Sequence, residues 1–333
     1  MSKVLITGIS GLIGKHLAEL LLGQSTYKIK GQYFSARNKD LFVGKPVEMV
    51  QADICVPEQL QGICEGCQVV VHSAARVIDH GTKRDFYLAH VDATRFMLEE
   101  AAKSKVEHFI YISSFGPATY IDRTNGIPDE KVSLKMSGVH YDDAKIVAEN
   151  LVKTFCSKHQ IAYTIIRPGA VIGPDSVWVR EPLVRMHKAP GVALINKGET
   201  DACLIDARNL AEGIFKVMTQ EVARGQTYFF VDNYGVNWKT FINDVLGIVG
   251  KKTTLSFPKA IILPIAQFLN FIMVPMGKKP PFSPKAIMAL GSDRRVSTEK
   301  AKRELGWNTH YTYLESLENI TKWVEENKER LGY

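Results

Sequence analysis

Tyr141 and Lys145 carry side chains that can move a proton when they lie close together. A separation of four residues places both on the same face of a helix. The lysine ammonium would favour the phenolate and lower the pKa of the tyrosine from about 10 towards neutrality. Ser114 directly follows a predicted strand and can hold a substrate oxygen, although alternation along the chain lets only one of Ser113 and Ser114 face the site. These side chains predict acid–base chemistry on an alcohol or ketone oxygen.

A glycine-rich loop near the N-terminus could bind the phosphates of a dinucleotide. The sequence TGISGLIG, at residues 7–14, follows a predicted strand and opens a predicted helix. Its first glycine permits a tight turn, its second lets the backbone approach a pyrophosphate, and its third lets the helix pack on the strand. Free N–H groups at the start of the helix bind phosphate oxygens. We therefore expect cofactor contacts from Gly8, Ser10, Gly11, Leu12, Ile13 and Gly14.

Strand-like and helix-like segments alternate through the first 170 residues, which predicts an α/β fold with a doubly wound parallel sheet. The predicted strands are 4–6, 29–34, 69–72, 109–113 and 162–166, and the predicted helices are 16–22, 95–102 and 144–155. A helix at 209–218 and a strand at 228–231 follow an irregular stretch. We expect a dinucleotide-binding domain over 1–168, rejoined by about 203–233. The remaining segments, 169–202 and 234–333, would form a smaller, α-rich substrate lobe.

Composition and charge narrow the class of protein. The 333 residues are 45% hydrophobic and 23% charged, as in soluble globular proteins, and no uncharged apolar run reaches about 18 residues. Five cysteines at irregular spacing suit a reducing cytosol, and Cys64 and Cys67 are interpreted as structural thiols rather than metal ligands. Residues 251–333 hold fourteen Lys and Arg against eight Asp and Glu, so most of the net charge of +7 lies there. This surface could face anionic lipid, an anionic substrate or solvent, and no nucleic-acid motif supports that partner.

Six further motifs, in this order, resemble the short-chain dehydrogenase/reductase superfamily and its extended branch in particular. They are QADI at 51–54, HSAA at 72–75, YISS at 111–114, YDDAK at 141–145, RPGAVIGP at 167–174 and AKRELGW at 301–307. The resemblance implies a Rossmann-like fold and an NAD(P)-dependent enzyme in which Ser114, Tyr141 and Lys145 are catalytic. It also implies cofactor contacts from Tyr141 and Lys145 themselves and from Asp53, Ile54, Ala74, Ala75, Pro168 and Val171.

Two residues depart from the pattern of that family. His90 stands in HVDAT where the family usually has an asparagine that shapes the proton path near the lysine. We interpret His90 as packing in the core or binding water. Ala144 replaces the usual serine before the lysine, which is a position that tunes activity rather than creating it.

The cofactor and the substrate are indicated by two further segments. The second predicted strand ends without the acid that usually binds the ribose hydroxyls of NAD, whereas Ser35, Arg37 and Lys39 could meet the 2′-phosphate of NADP. We therefore favour NADP and leave NAD open. Residues 257–277 are the most apolar part of the chain and are flanked by lysines. This segment could cover an apolar substrate, lie on an anionic membrane surface, or be an ordinary buried helix.

The sequence as a whole favours an oxidoreductase that interconverts a secondary hydroxyl and a ketone on a bulky, largely apolar molecule. The RPG and IGP pattern resembles the 3β-hydroxysteroid dehydrogenase-like group, so a sterol-like or long-chain β-hydroxy or β-keto substrate is expected. A nucleotide-sugar epimerase or dehydratase is the alternative, but residues 168–171 lack the asparagine typical of such enzymes. A non-catalytic dinucleotide-binding protein is disfavoured because the catalytic residues are intact. We expect a cytoplasmic enzyme without a metal site, and we leave a homodimer open.

Overall fold

A seven-stranded parallel sheet forms the centre of the computed structural model, which describes residues 2–24, 26–77, 81–119, 126–188 and 192–333. From one edge to the other the strands run β3, β2, β1, β4, β5, β6 and β10. Their bounds are β1 Ser2–Thr7, β2 Tyr27–Tyr33, β3 Val47–Gln51, β4 Val69–His72, β5 His108–Ile112, β6 Ala162–Pro168 and β10 Gln226–Phe230. The predicted fold class is confirmed.

Helices connect these strands and cover both faces of the sheet. Those of the first 230 residues are α1 Leu12–Leu22, α2 Lys83–Tyr87, α3 Ala93–Lys103, α4 His140–His159, α5 Val177–Lys188 and α6 Ala207–Thr219. On one face, Leu17 and Leu21 of α1 pack with Val4 and Ile6. On the other face, Leu5 packs into a core built with α3 and α4. Successive residues of β1 therefore enter opposite cores, as the alternation of a strand requires.

The edge strand β3 is a strand that the sequence did not predict. Its sequence VEMVQ is half polar, and its residues are only partly buried or exposed. Glu48 on β3 forms ion pairs with Lys3, at 2.7 Å, and with Lys30, at 3.5 Å. An edge strand pairs with one neighbouring strand and faces solvent on its other side, so its sequence shows only a weak pattern of apolar residues.

A second core lies beyond the sheet and gathers residues from both parts of the predicted substrate lobe. Val179 and Leu183 of α5 meet Phe241 and Val245 of α7, which spans Trp238–Gly247, and Ile320 of α11, which spans Tyr313–Glu326. The remaining strands form two parallel pairs, β7 Ala170–Ile172 with β9 Leu204–Asp206, and β8 Leu194–Ile195 with β11 Ser256–Phe257. The remaining helices are α7 Trp238–Gly247, α8 Lys259–Met273, α9 Pro284–Leu290, α10 Glu299–Leu305, α11 Tyr313–Glu326 and α12 Lys328–Leu331. The division of the chain into two lobes stays a prediction.

The apolar helix α8 is not an ordinary buried helix. Only Ile262 and Ala266 among its residues are buried, and they pack against Ile287 of α9. Its other side exposes Phe268 and Phe271, which are 63% and 79% exposed. No helix in the described part of the chain is both long enough and apolar enough to cross a membrane.

Candidate active site

The carboxyl ends of the central strands meet at one edge of the sheet, where parallel α/β folds bind their ligands. The glycine loop lies there, between β1 and α1. Gly8 has a left-handed backbone with φ of 66°, and a Cβ atom added to it would lie 2.9 Å from the Cα atom of Ala74. Gly11 caps α1 without any side-chain hydrogen bond, so the N–H groups of the first turn are left for a ligand. This cradle fits the pyrophosphate of a dinucleotide.

Gln32 holds the glycine loop in place and was missed as a site residue in the sequence. Its side-chain oxygen accepts a hydrogen bond from the Gly8 N–H at 2.9 Å, and its amide nitrogen donates to the Ala52 carbonyl at 2.6 Å. The side chain is almost fully buried at the end of β2. In the sequence, the one indication of this role is that Gln32 is a polar residue near the end of a predicted strand.

The other residues predicted to contact the dinucleotide surround this loop or follow the same strand ends. Asp53 and buried Ile54 follow β3, and an Asp53 carboxylate oxygen accepts a hydrogen bond from the Cys55 N–H at 2.9 Å. The Ala74 N–H donates to the Thr7 hydroxyl at 3.1 Å. The other residues predicted to contact the dinucleotide differ in burial. Six are half-buried, two are buried and two are exposed: Ser10, Leu12, Ile13, Ser35, Ala75 and Val171; Gly14 and Pro168; Arg37 and Lys39. Their contacts with a cofactor stay predictions.

The two adjacent serines at the end of β5 have different partners. Ser113 is buried and donates its hydroxyl hydrogen to the Glu149 carboxylate at 2.6 Å. Ser114 is half-buried and accepts a hydrogen bond from the Gly116 N–H at 3.1 Å, and its interaction with the Tyr141 hydroxyl lowers the pKa of that tyrosine. The geometry therefore brings Ser114, rather than Ser113, to the predicted catalytic tyrosine.

Lys145 lies one turn after Tyr141 on α4, as its spacing predicts, but its ammonium points elsewhere. It donates to the Ile112 carbonyl at 2.7 Å and to the Tyr111 hydroxyl at 3.3 Å. Burial lowers the pKa of Lys145 to about 7, which the charge of Glu149 partly offsets. No pattern in the sequence indicated that Tyr111 would contact this lysine.

The pKa of Tyr141 moves in the direction opposite to the one predicted from its spacing with Lys145. Burial raises it well above its usual value, the nearby charge of Asp142 raises it further, and the hydrogen bond with Ser114 lowers it. The physical reason is that desolvation of the phenolate outweighs a lysine whose ammonium is directed at Tyr111. Tyr141 therefore holds its proton at neutral pH in the structure.

Lys285, on α9, is a site residue that the sequence did not reveal, since it lies 144 positions after Tyr141. Its ammonium nitrogen is 3.2 Å from the centroid of the Tyr141 ring. A cation over an aromatic face is attracted by the ring quadrupole. The contact brings α9, and with it the apolar helix α8, to the predicted catalytic tyrosine.

Glu149 and Arg167 form a buried ion pair beneath the site. The Arg167 guanidinium donates to both Glu149 oxygens, at 2.9 and 2.6 Å, and the two side chains are 3% and 1% exposed. This two-pronged geometry offsets much of the cost of burying both charges. The pair joins α4 to β6 and fixes the helix that carries Tyr141 and Lys145.

The thiols and potential metal ligands form no further site in the described residues. All five cysteines are free. Burial raises the pKa of Cys64 to about 12 and also raises the pKa of Cys67, so neither is an activated thiolate. The described part of the chain contains no group of three or more His, Cys, Asp or Glu side chains arranged to hold a metal ion.

The parallel sheet and the glycine loop at its edge are those of the extended short-chain type of NAD(P)-dependent enzymes, whose dehydrogenases act on a CH–OH group. The chain belongs to the NAD-dependent epimerase/dehydratase family, whose model matches residues 4–229. Sequence relatives extend the match over nearly the whole chain and confirm the resemblance drawn from the motifs.

The similar proteins differ in the substrates for which they are named. A 4-hydroxy-2-methyl-3-oxo-4-farnesyl-3,4-dihydroquinoline-1-oxide ketoreductase of Stigmatella aurantiaca is 22% identical over 96% of this chain and 95% of its own length. A decarboxylating sterol-4-alpha-carboxylate 3-dehydrogenase of Mus musculus is 24% identical over 96% of this chain and 90% of its own length. Among solved structures, a UDP-glucose 4-epimerase of Thermotoga maritima has a TM-score of 0.77 at 18% identity, with 98% and 99% of the two chains covered. That likeness shows the fold alone.

Proposed function

We propose that this protein is an NADP-dependent reductase or dehydrogenase of a secondary hydroxyl or ketone on a bulky, largely apolar substrate. The observation that carries the proposal is the cluster of Ser114, Tyr141 and Lys145 at the sheet edge beside the glycine loop. A bound nicotinamide cofactor would supply or accept the hydride. The Ser114 hydroxyl would hold the substrate oxygen, and the Tyr141 phenol would give a proton to that oxygen or take one from it.

The acid–base role is tested by replacing Tyr141 with phenylalanine. Tyr141→Phe should keep the fold and the binding of the dinucleotide but lower turnover at least about a hundredfold, because the proton donor is lost. Tyr27→Phe is the matched control, since Tyr27 begins β2 and packs against Phe215 away from the site. Near-normal turnover in Tyr141→Phe would remove the mechanism.

The preference for NADP rests on the loop after β2. No acidic side chain occurs between the end of β2 and Asp40, while Arg37 and Lys39 are exposed there beside half-buried Ser35. Cationic side chains suit the 2′-phosphate of NADP better than the ribose hydroxyls of NAD. The family is named for its dependence on NAD, so the direct test compares the affinities of the protein for NADP and NAD.

The apolar substrate is supported by the path from α8 to the site. Buried Ile262 of α8 packs on Ile287 of α9, and Lys285 of α9 reaches the Tyr141 ring. An apolar ligand that lies along α8 would therefore have its reacting end near the tyrosine. Burying apolar ligand surface contributes about 25 cal/mol per Å², which a nucleotide sugar could hardly use.

Lys285 adds a chemical preference to this substrate. An ammonium beside the reacting centre would attract an acidic group next to the carbinol, as in a β-hydroxy acid. The mouse relative is named for a sterol that carries a carboxylate, which agrees with this preference. Lys285→Gln should weaken the binding of an acidic substrate about tenfold and leave the binding of its methyl ester unchanged. Equal losses of affinity for both compounds would contradict the preference.

A competitive panel distinguishes these substrates from those of the alternative function. The NADP-loaded protein is titrated with hydroxysteroids, long-chain β-hydroxy compounds and UDP- or dTDP-sugars, and thermal stabilisation is followed. We expect stabilisation by the lipid-like ligands, with loss of this effect in Ile272→Asp. Stabilisation by a nucleotide sugar alone would indicate an epimerase or dehydratase.

We further propose that α8 and its flanks rest on an anionic membrane surface. Residues 251–292 contain six lysines and no Asp or Glu. Eight large apolar side chains of this region are exposed: Leu255, Phe257, Ile261, Ile265, Phe268, Phe271, Ile272 and Met276. An exposed apolar face with a basic border is typical of interfacial helices on anionic lipid.

Vesicle sedimentation tests this membrane contact. The protein should sediment with vesicles that contain phosphatidylserine, less with pure phosphatidylcholine, and less as salt increases. Phe268→Ser with Phe271→Ser should abolish binding, and Lys278→Gln with Lys279→Gln should remove its preference for anionic lipid. Equal binding of wild type and both variants would overturn the contact. A cytoplasmic location and a homodimer remain proposals, the latter to be checked by analytical ultracentrifugation.

A further inference from the structure

Two neighbouring arginines in the segment between α9 and α10 have opposite surroundings. The Arg295 side chain is 56% exposed and forms an ion pair with Asp293 at 2.7 Å. Arg294 is only 8% exposed, although a buried guanidinium costs free energy unless polar or aromatic groups surround it. The groups that surround Arg294 therefore indicate what this side chain does.

A chain of hydrogen bonds leads from Arg294 to the Ser114 hydroxyl. The Arg294 Nε atom donates to the Thr119 hydroxyl at 3.0 Å, and that hydroxyl donates to the Gly116 carbonyl at 2.7 Å. The Gly116 N–H in turn donates to the Ser114 Oγ atom at 3.1 Å. Because the Ser114 oxygen accepts this bond, its own O–H group stays available as a donor at the site.

The Arg294 guanidinium also packs on the apolar side of the same turn. Its central carbon is 4.5 Å from the centroid of the Phe115 ring. Val296, two positions later, joins Phe115 and Ala118 in one buried cluster. Polar and apolar contacts therefore both hold the segment 294–296 against the short helical turn that spans Gly116–Thr119.

The first turn of α4 reaches the same place from the other side of Gly116. A Cβ atom at Gly116 would lie 2.6 Å from the Asp142 Oδ1 atom and 2.7 Å from the Arg294 Nη2 atom. Asp142 is buried and directly follows Tyr141 on α4. Burial and the charge of Asp142 raise the pKa of Tyr141, and the charge of Arg294 opposes them. Arg294 therefore lies where the loop that carries Ser114 meets the helix that carries Tyr141.

We propose that Arg294 is a positioning residue, which fixes the Ser114 hydroxyl relative to the Tyr141 phenol. It acts through the hydroxyl of Thr119 and the backbone of Gly116. This inference deepens the proposed function, on which its effect on turnover rests. The arrangement of the two hydroxyl groups in the free protein does not depend on the identity of the substrate.

Turnover should distinguish the two neighbouring arginines. Arg294→Met should lower kcat about tenfold, the scale of one hydrogen bond to a charged group, and leave KM and the affinity for NADP within about twofold. Arg294→Lys keeps a charged donor, so kcat should fall by only about threefold. Arg295→Met is the matched control and should behave as the wild type. Wild-type kcat in Arg294→Met, or an equal loss in Arg295→Met, would overturn the proposal.

A double-mutant cycle tests whether Arg294 acts through Ser114. In Ser114→Ala the hydroxyl that Arg294 positions is gone, so the further change Arg294→Met should lower kcat by less than about twofold. Thr119→Val keeps the charge of Arg294 but breaks the chain of hydrogen bonds, so it should lower kcat about tenfold by itself. An equal effect of Arg294→Met with and without the Ser114 hydroxyl, or wild-type kcat in Thr119→Val, would contradict the proposed role.

A measurement without substrate separates this inference from the proposed function. In protein labelled with ¹³Cζ-tyrosine, the Tyr141 resonance is identified by its absence from Tyr141→Phe, and it reports the hydrogen bonding of the phenol. Thr119→Val should move this resonance, whereas Arg295→Met should leave it in place. Because Thr119→Val keeps every charge of the site, it also covers the case in which Arg294→Met does not fold. A resonance that Thr119→Val does not move would overturn the proposal, whether or not a substrate is known.

Discussion

Two regions of this protein depart from the usual distribution of residues in opposite ways. Around α4 and β6, charged side chains are buried: Lys145, Glu149 and Arg167 are each at most 3% exposed. Along α8, large apolar side chains are exposed, and Phe271 is 79% exposed. Either arrangement lowers stability if nothing compensates for it. The first is compensated within the fold by ion pairs and hydrogen bonds, whereas the second is left for a partner outside the chain.

The comparison indicates that the two regions contribute differently to function. The buried charges set the protonation states of the proposed catalytic residues, so the fold itself fixes them. The exposed apolar face contributes nothing to the core, so it can change without loss of the fold. Stability should therefore depend strongly on the first region and weakly on the second.

The buried ion pair should show the largest effect on stability. Arg167→Met leaves the Glu149 carboxylate buried without its cation, and the free energy of unfolding should fall by about 3–5 kcal/mol. Lys302→Met breaks an exposed pair with Glu299 and should change it by less than about 0.5 kcal/mol. Urea unfolding of the three proteins gives both values. Similar losses in both variants would remove the contrast between buried and exposed charges.

The cost of losing apolar surface should differ between the two regions. Leu17→Ala removes a fully buried side chain of α1 and should lower the free energy of unfolding by about 2–5 kcal/mol. Phe271→Ala removes a larger but exposed side chain of α8, so the free energy of unfolding should change by less than about 0.5 kcal/mol. The midpoints of urea unfolding compare the two variants. A loss above about 2 kcal/mol in Phe271→Ala would show that α8 packs in solution.

The buried lysine should make stability depend on pH. The pKa of Lys145 is about 7 in the folded protein against 10.5 in the unfolded chain, so the unfolded chain holds the extra proton between these values. Stability should rise with pH above about 7, by at most about 1.4 kcal/mol per pH unit, and the cost of burial should be complete below pH 7. Lys145→Met should remove this rise. Subtracting the variant curve from that of wild type between pH 7 and 9 isolates the lysine, and parallel curves would contradict its lowered pKa.

The smallest effect is expected at the exposed loop after β2. If Arg37 binds a 2′-phosphate, Arg37→Ala should weaken the binding of NADP about tenfold and leave the binding of NAD nearly unchanged. Only the complex with NADP loses a charge-assisted hydrogen bond. Lys28→Ala, which removes an exposed charge near the start of β2, is the control. Isothermal titration calorimetry with both dinucleotides measures the difference. Equal losses, or stronger binding of NAD to the wild type, would reverse the assignment of the cofactor.

Local patterns in the sequence were sufficient for much of the fold and for part of the candidate site. The turn at Gly8, the helix that begins after Gly11 and the shared helix of Tyr141 and Lys145 all follow from the spacing of a few neighbouring residues. Among the seven strands of the central sheet in the described structure, β3 alone was not predicted, since its partly polar sequence pairs with just one neighbouring strand. The central strands were predictable because fully buried parallel strands carry continuous apolar runs.

The sequence by itself therefore determined the parallel sheet, the phosphate-binding turn and the presence of an acid–base pair, because helix and strand geometry act over a few residues. Only the tertiary structure decided how these groups are protonated and which of them meet. In the folded chain Ser113 binds Glu149, while Ser114 interacts with Tyr141. Lys145 donates to Tyr111, and Lys285, 144 positions after Tyr141 in the sequence, contacts the ring of that tyrosine. It also left the apolar face of α8 in solvent. Burial and long-range contact set pKa values and partners, and no short-range pattern encodes either.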